Sequence, residues 1–107
     1  MGVADLDRAL AMVPEGNFNL LMSHQPPFWD TSSKQGVDLT LAGHTHGGQF
    51  AIKLINGKIS LGEFFHKYNE GLFEKNNSQL YVTTGFGFTG PPIRFNVPPE
   101  VVVITLI

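Results

Sequence analysis

The sequence predicts an α/β (α+β) fold that is rich in β-strands and carries about two short helices. A strand followed by a histidine-bearing loop occurs twice in the first half, before His24 and before His44, with a short helical crossover between them. The second half contains Asn56-Gly57, the strongest short signal for a β-hairpin, between two apolar runs. The 107 residues correspond to one small domain or to a piece of a larger one.

The composition excludes several classes of protein. With 42% hydrophobic and 15% charged residues, the chain is too apolar for a disordered tail. A typical soluble domain has about a quarter charged residues, so the low charge indicates that other protein covers part of this surface. A net charge of -2 without any Lys/Arg cluster gives no patch for nucleic acid or a membrane surface. No cysteine is present, no signal peptide is recognisable, and no apolar run reaches the roughly 20 residues of a membrane span.

The first elements follow from capping and breaker residues. Asp5 can cap a short helix whose apolar face runs to Val13, and Pro14 ends it. Residues 18–22 form an apolar run bounded by polar residues, which is typical of a strand. That strand leads directly into the loop 23–27, Ser-His-Gln-Pro-Pro, in which two prolines should prevent continuation as sheet or helix.

The crossover and the second strand repeat this arrangement. We expect a short helix over residues 28–35, ended by Gly36, and a strand over residues 37–42. This strand runs into the loop 43–49, which carries His44 and His46. Because ligands gather at the carboxyl ends of strands in α/β sheets, we expect both histidine loops to face one site.

The rest of the sequence predicts further strands and loops. Apolar runs and turn residues indicate a hairpin of strands 50–54 and 58–61, a polar loop 76–79, a strand 80–84, a Gly/Pro loop 85–92 and a short extended stretch 93–97. Residues 101–107 are apolar on both faces, as expected of a strand in the middle of a covered sheet.

The strongest chemical signal is the pair His44 and His46 in a glycine-rich loop. Imidazole is a good ligand for transition metals, and the flanking glycines let the backbone bend so that each ring reaches its own target. Such a pair could serve one ion, or two ions ~3.5–4 Å apart. An isolated pair of this kind is more often two solvated side chains in a turn. His24, in the equivalent position of the preceding strand, favours a metal site, whereas His66 has no such context and is interpreted as structural.

At this point the motifs resemble a known family. The segments 23–26 (Ser-His-Gln-Pro) and 42–49 (Ala-Gly-His-Thr-His-Gly-Gly-Gln) resemble the last two metal motifs of the calcineurin-like metallophosphoesterases. The match is nearest to the bacterial branch whose final motif reads Gly-His-Thr-His-Gly-Gly-Gln. The later segments 80–82, 85–87 and 92–100 look like the C-terminal tail of that branch, so the resemblance covers nearly the whole chain.

The resemblance implies a fold, a reaction and a set of ligands. Residues 1–107 would be the C-terminal half of a four-layer αββα sandwich. The parent would be a metal-dependent phosphoesterase that hydrolyses phosphomonoesters or phosphodiesters at a dinuclear site of Zn, Mn, Fe or Ni. His24 and His44 would be ligands of the second metal, and His46 a ligand of the first. No catalytic residue is assigned here, since the histidine that assists the leaving group belongs to the N-terminal half of the family's domain.

The sequence also departs from the family pattern. It contains neither the Asp-X-His nor the Gly-Asn-His motif that supplies the remaining ligands. Three neutral imidazoles cannot balance the charge of two dications, and Asp5 and Asp38 lie in the wrong elements to replace the bridging carboxylate. We therefore expect the chain alone to be inactive and to bind one metal ion or none. Thr84 stands where this branch often has an arginine, so substrate contacts there are in question.

The partners implied are a phosphate ester substrate and the N-terminal half of the same domain. Without that half, the sheet should expose apolar surface, which marks a site of association. We therefore expect a homodimer or a strand-exchanged assembly. The aromatic candidates for this surface, each equally compatible with an ordinary core position, are Phe64, Phe65, Phe73, Phe86 and Phe88.

Other classes of protein make different predictions. A non-catalytic β-rich binding module with incidental histidines would hold His24 far from His44 and His46. A two-histidine phosphoesterase needs two separate His-X-Ser/Thr motifs, and only one segment approaches that form. A metallo-β-lactamase-like site would need an aspartate two residues after His46, where Gly48 stands. Both of these hydrolase classes are disfavoured.

Overall fold

The computed structural model of the protein describes residues 4–43, 51–54, 57–60, 67–86 and 97–107. Two short α-helices and six strands lie in these ranges. In chain order they are α1 (Leu6–Leu10), β1 (Leu20–Ser23), α2 (Trp29–Ser32), β2 (Leu39–Ala42), β3 (Ala51–Leu54), β4 (Gly57–Ser60), β5 (Gly71–Lys75) and β6 (Ser78–Val82). None of the described helices is long and apolar enough to cross a membrane.

A four-stranded mixed sheet organises the chain, with the strand order β1-β2-β6-β5. Strands β1, β2 and β6 are parallel, and β5 pairs with β6 in the antiparallel direction. Strands β3 and β4 form a separate antiparallel pair, as Asn56-Gly57 predicted. A mixed sheet with two short helices confirms the predicted α+β class.

The N-terminal helix and the crossover helix lie where the sequence predicts them, but both are shorter than expected. Helix α1 ends at Leu10 rather than at Pro14, and α2 spans Trp29–Ser32 rather than residues 28–35. The Asp5 carboxylate caps α1 by accepting a hydrogen bond from the Arg8 N–H at 3.0 Å. The prolines were expected to stop regular structure, but Pro26–Phe28 forms a 3₁₀ turn that runs into α2. Proline suits the first position of such a turn because its φ is fixed and its missing N–H is not needed there. Gly36 then reverses the chain with a φ of +80°.

The hairpin of β5 and β6 was only half predicted. The expected polar loop 76–79 is a two-residue turn, in which Asn76 and Asn77 have φ values of 52° and 56°. Two consecutive left-handed residues match the twist of flanking strands, so the residues on both sides pair as a hairpin. Strand β5 was not predicted, and β6 begins at Ser78 rather than at residue 80.

One face of the main sheet is covered by α2 and the residues before β5. Its core consists of Trp29, Ala42, Tyr68, Leu80 and Val82. The Trp29 and Tyr68 rings meet edge to face at 5.3 Å, and the Trp29 Nε1–H donates to the Ser78 hydroxyl at 3.0 Å. Phe73, for which the sequence left an exposed surface and a core position open, packs against this core, its ring 5.1 Å from that of Tyr68, so the core alternative holds for it. Its position in the strand turns it toward the covered face, where apolar burial stabilises it.

The other face, here called the open face, is largely apolar and much less covered. By the strand register its apolar part consists of Leu20, Met22, Leu39, Leu41, Leu72 and Tyr81, and Glu74 and Gln79 lie on the same face. Leu20, Met22 and Leu72 are 50%, 81% and 57% exposed. Among the predicted surface aromatics, Phe86 is 74% exposed, and Phe64, Phe65 and Phe88 lie outside the described residues.

The C-terminal segment departs from the prediction. Residues 101–107 were expected to form a central strand, but they belong to no strand in the structure, and Val103 is 89% exposed. A continuous apolar run fixes neither a pairing partner nor a conformation, which is why the sequence pattern misled here. Residues 104–107 instead border an apolar groove of about 490 Å³ over the open face, together with Phe18 and Leu72.

Candidate metal centre

The carboxyl ends of three parallel strands meet at one edge of the main sheet. Ser23 of β1 is the register partner of Ala42 in β2, and Ala42 is the partner of Val82 in β6. The residues that follow these strand ends, among them His24, therefore lie at the same edge. This edge is where side chains of an α/β sheet usually converge on a ligand.

A shallow depression of about 370 Å³ opens at this edge. Its lining comprises Met22, Ser23, His24, Leu41, Ala42, Gly43 and Thr83. His24 is exposed to solvent. A Cβ on Gly43 would lie 3.7 Å from Thr83 Cγ2, an ordinary van der Waals contact, so the backbone there is uncrowded. An exposed imidazole beside an uncrowded backbone has the chemistry of a transition-metal ligand.

The structure brings together only part of the predicted ligand set. His24 lies at the predicted strand end, while His44 and His46 are outside the described residues, as is His66. Gly43, which directly precedes His44, shares the depression with His24. In the described part of the chain, no three His, Cys, Asp or Glu side chains cluster together. The convergence of the three imidazoles thus stays a prediction.

Neither Asp5 nor Asp38 can serve as a bridging carboxylate at this edge. Asp5 caps α1, and Asp38 lies just before β2, at the amino end of the parallel strands. The Asp38 carboxylate accepts a hydrogen bond from the Asn19 N–H at 2.7 Å, which fixes the start of β1 next to β2. Both aspartates therefore stabilise the fold at positions away from the depression, in agreement with the sequence interpretation.

The loop after β6 also borders the depression, which sequence reasoning missed. Thr83 lines it, and the Thr83 hydroxyl accepts a hydrogen bond from the Gly85 N–H at 3.0 Å. Thr84 is buried and donates its hydroxyl hydrogen bond to the Pro98 carbonyl at 3.3 Å. The side chain of Thr84 is therefore directed toward the C-terminal segment. The sequence did not reveal that β6 pairs in parallel with β2, and this pairing is what brings Thr83 to the edge.

Two hydrogen bonds of Glu100 connect the C-terminal segment to β6 and to the loop that follows it. The Glu100 N–H donates to the Gly85 carbonyl at 2.7 Å, and the Tyr81 hydroxyl donates to Glu100 Oε1 at 3.0 Å. Burial, and secondly this hydrogen bond, raise the pKa of the Tyr81 hydroxyl above its usual value. Tyr81 is therefore a neutral donor at physiological pH, and its bond to Glu100 holds residues 97–100 next to the edge.

A cluster of charged side chains connects α2 to β5, the edge strand opposite β1. The Asp30 carboxylate accepts hydrogen bonds from Lys75, from the Tyr68 hydroxyl at 2.6 Å and from Lys67 at 3.3 Å. The bond to Lys75, then that to Tyr68, lowers the pKa of Asp30 to about 2. Lys75 Nζ also lies 4.4 Å from the centre of the Trp29 ring. This cluster stabilises the crossover that begins with the His24 loop.

Comparison with known proteins finds similarity to metallophosphoesterases. The chain is 33% identical over 106 residues to the uncharacterized metallophosphoesterase YkuE of Bacillus subtilis, covering 99% of this chain and 37% of that protein. An uncharacterized metallophosphoesterase of Helicobacter pylori is 35% identical over 106 residues, which are 96% of this chain and 27% of the relative. Phosphodiesterase YaeI of Escherichia coli is 32% identical over 88 residues, 82% of this chain and 32% of the relative.

The fold, the strand-end histidine and these similarities define one class. Over most of its length the chain is similar to metallophosphoesterases, as its motifs indicated. It spans about a quarter to two fifths of the length of these curated relatives. No family model matches the sequence, and no solved structure matches it.

Proposed function

We propose that residues 1–107 are the C-terminal part of a calcineurin-like metallophosphoesterase domain. The whole protein would hydrolyse phosphomonoesters or phosphodiesters at a site of two divalent transition metals. His24, His44 and His46 would be three of the ligands. The observation that carries this proposal is the in-register parallel pairing of β1 and β2, because it sets His24 and Gly43, the neighbour of His44, around one depression.

The residues at this edge fit the chemistry of such a metal site. Neutral imidazoles suit Zn, Fe and Ni, and His24 is exposed. Metal ions held there would neutralise charge on the phosphate oxygens and activate a water for in-line attack. Gly43 adds no side chain to the depression, which leaves room for a phosphate ester.

The chain by itself should be catalytically inactive. No carboxylate is among the described residues that line the depression, and two dications need anionic ligands to offset their charge. We therefore expect binding of a single ion at most, held by the three imidazoles. Hydrolysis of p-nitrophenyl phosphate and bis(p-nitrophenyl) phosphate should stay at the level of the metal in buffer. Finding Asp-X-His, Gly-Asp and Gly-Asn-His motifs in the coding sequence upstream of Met1 would support the parent activity.

The open face supports a second part of the same proposal. Its exposed leucines and methionine have the character of a sheet surface that another layer normally covers. In the parent, the covering layer would be the preceding part of the same domain. In the isolated chain, a second copy would take its place, because the same apolar surface is available on both copies.

A zinc titration with histidine variants tests the proposed site. We expect weak binding with one ion per chain, and a loss of at least about tenfold in affinity for His24→Ala and His44→Ala, since each removes a ligand. His66→Ala is the matched control and should bind like the unaltered chain. Absence of zinc binding, or equal affinity in His24→Ala, would contradict the site and favour a binding module with incidental histidines.

A further inference from the structure

The turn that carries His24 is closed by the side chain of its neighbour. Ser23 is the last residue of β1, and the Ser23 hydroxyl donates a hydrogen bond to the Gln25 carbonyl oxygen at 3.0 Å. This bond bridges His24, because it joins the residue before the histidine to the residue after it. The backbone on both sides of the imidazole is thereby fixed in one arrangement.

The far end of the same turn is anchored independently. The Gln25 carbonyl oxygen also accepts a hydrogen bond from the Phe28 N–H at 3.2 Å, which starts the 3₁₀ turn. Pro26 is buried, and Trp29 is only 1% exposed. Gln25 itself is extended, with φ −107° and ψ 123°. The Gln25 carbonyl oxygen thus connects the Ser23 hydroxyl to the segment that contains the buried residues Pro26 and Trp29.

We propose that Ser23 is a positioning residue for the metal site, acting through His24; this rests on the proposed function. A ligand whose backbone is already fixed loses less conformational freedom when it binds a metal. Partners that orient metal ligands typically change metal affinity by about 10- to 100-fold when they are removed. The Ser23 hydroxyl performs this role on the backbone of the ligand rather than on its ring.

The location of the Ser23–Gln25 hydrogen bond distinguishes a positioning role at His24 from a contribution to the stability of the whole fold. The hydrogen bond spans two residues, lies at an exposed position, and joins only the end of β1 to the start of the adjacent 3₁₀ turn. The core contacts of α2 with the sheet, such as that of Trp29 with Ser78, do not involve Ser23. Removal of the hydroxyl should therefore affect the His24 turn much more than the unfolding transition.

The test compares Ser23→Ala with the conservative variant Ser23→Thr, which keeps the hydroxyl. Zinc affinity should fall about tenfold in Ser23→Ala and be restored in Ser23→Thr. Thr31→Ala, which removes an exposed hydroxyl from α2, is the matched control and should bind zinc normally. The second readout needs no metal: the ¹⁵N relaxation of the His24 and Gln25 amides should show greater mobility in Ser23→Ala alone.

The two readouts separate this inference from the proposed function. Equal zinc affinity and equal His24 mobility in Ser23→Ala and the unaltered chain would overturn the positioning role. If the unaltered chain binds no zinc, the proposed metal site fails, and amide relaxation decides whether Ser23 fixes the His24 turn. Increased mobility in Ser23→Ala with rescue by Ser23→Thr would then still show that the Ser23 hydroxyl fixes the His24 turn. Unchanged mobility would refute this.

Discussion

Replacing Leu72 by threonine should weaken self-association of the isolated chain. Leu72 lies on the open face in β5 and is 57% exposed. Threonine is polar on this face but favourable in a strand, so the fold of the monomer should be retained. The change therefore tests the apolar surface itself rather than the stability of the sheet.

The size of the effect follows from the exposed fraction. Full burial of a leucine side chain contributes about 1.5–3 kcal/mol, so covering the exposed part of Leu72 contributes about 1–1.7 kcal/mol. A two-fold symmetric dimer buries this side chain twice, once from each copy. Since threonine retains one methyl group, the dimerisation constant should fall about 10- to 100-fold, at about 1.4 kcal/mol per tenfold.

Sedimentation equilibrium over a wide concentration series measures this constant. Met12→Thr is the control, because Met12 is 85% exposed but lies in the turn after α1, outside the main sheet. It should leave the dimerisation constant unchanged. A chain that stays monomeric at every concentration, or an equal effect of the two substitutions, would refute the assignment of the open face as the association surface.

Two further predictions concern the crossover that precedes β2. Asp30→Asn should lower the free energy of unfolding near pH 7 by about 1 kcal/mol, reduced from the full value of the pKa shift because Asp30 is 38% exposed. Because the pKa of Asp30 in the folded state is about 2, below its ordinary 3.8, the difference should persist above pH 4 and vanish as the pH falls toward 2 in urea titrations; a difference independent of pH would contradict this. Trp29→Phe should lower the free energy of unfolding by about 2 kcal/mol, since the buried Ser78 hydroxyl loses its donor and the smaller ring leaves space. An unchanged urea midpoint for Trp29→Phe would show that this contact does not stabilise the core.

Local signals in the sequence predicted the elements that depend on neighbouring residues. Asp5 as a cap, Gly36 as the end of the crossover helix and Asn56-Gly57 as a hairpin signal each act over two to four residues. The structure has the cap, a left-handed Gly36 after α2 and the antiparallel pairing of β3 with β4. The polar run after Lys75 was misinterpreted because two asparagines in the left-handed region form a tight turn as readily as part of a longer loop. Strand β5 escaped prediction for the same reason.

Contacts between distant segments could not be obtained in this way. The pairing of β6 with β2 brings Thr83 to the edge beside His24, although the two residues are far apart in the chain. Thr84 was considered in relation to the substrate, yet the structure turns it toward Pro98. Such outcomes depend on which strands become neighbours, and strand neighbours depend on the burial of whole faces rather than on local preference.

By itself, the sequence determined the α+β class and the resemblance to metallophosphoesterases, and it supplied the histidines of the proposed metal site, because these are properties of residue type and short spacing. Only the tertiary structure decided that His24 and Gly43 share one edge, that Phe73 belongs to the core and that the open face is exposed. The physical reason is that a side chain's direction in a sheet, and what covers it, are set by pairing register and packing between segments distant in sequence.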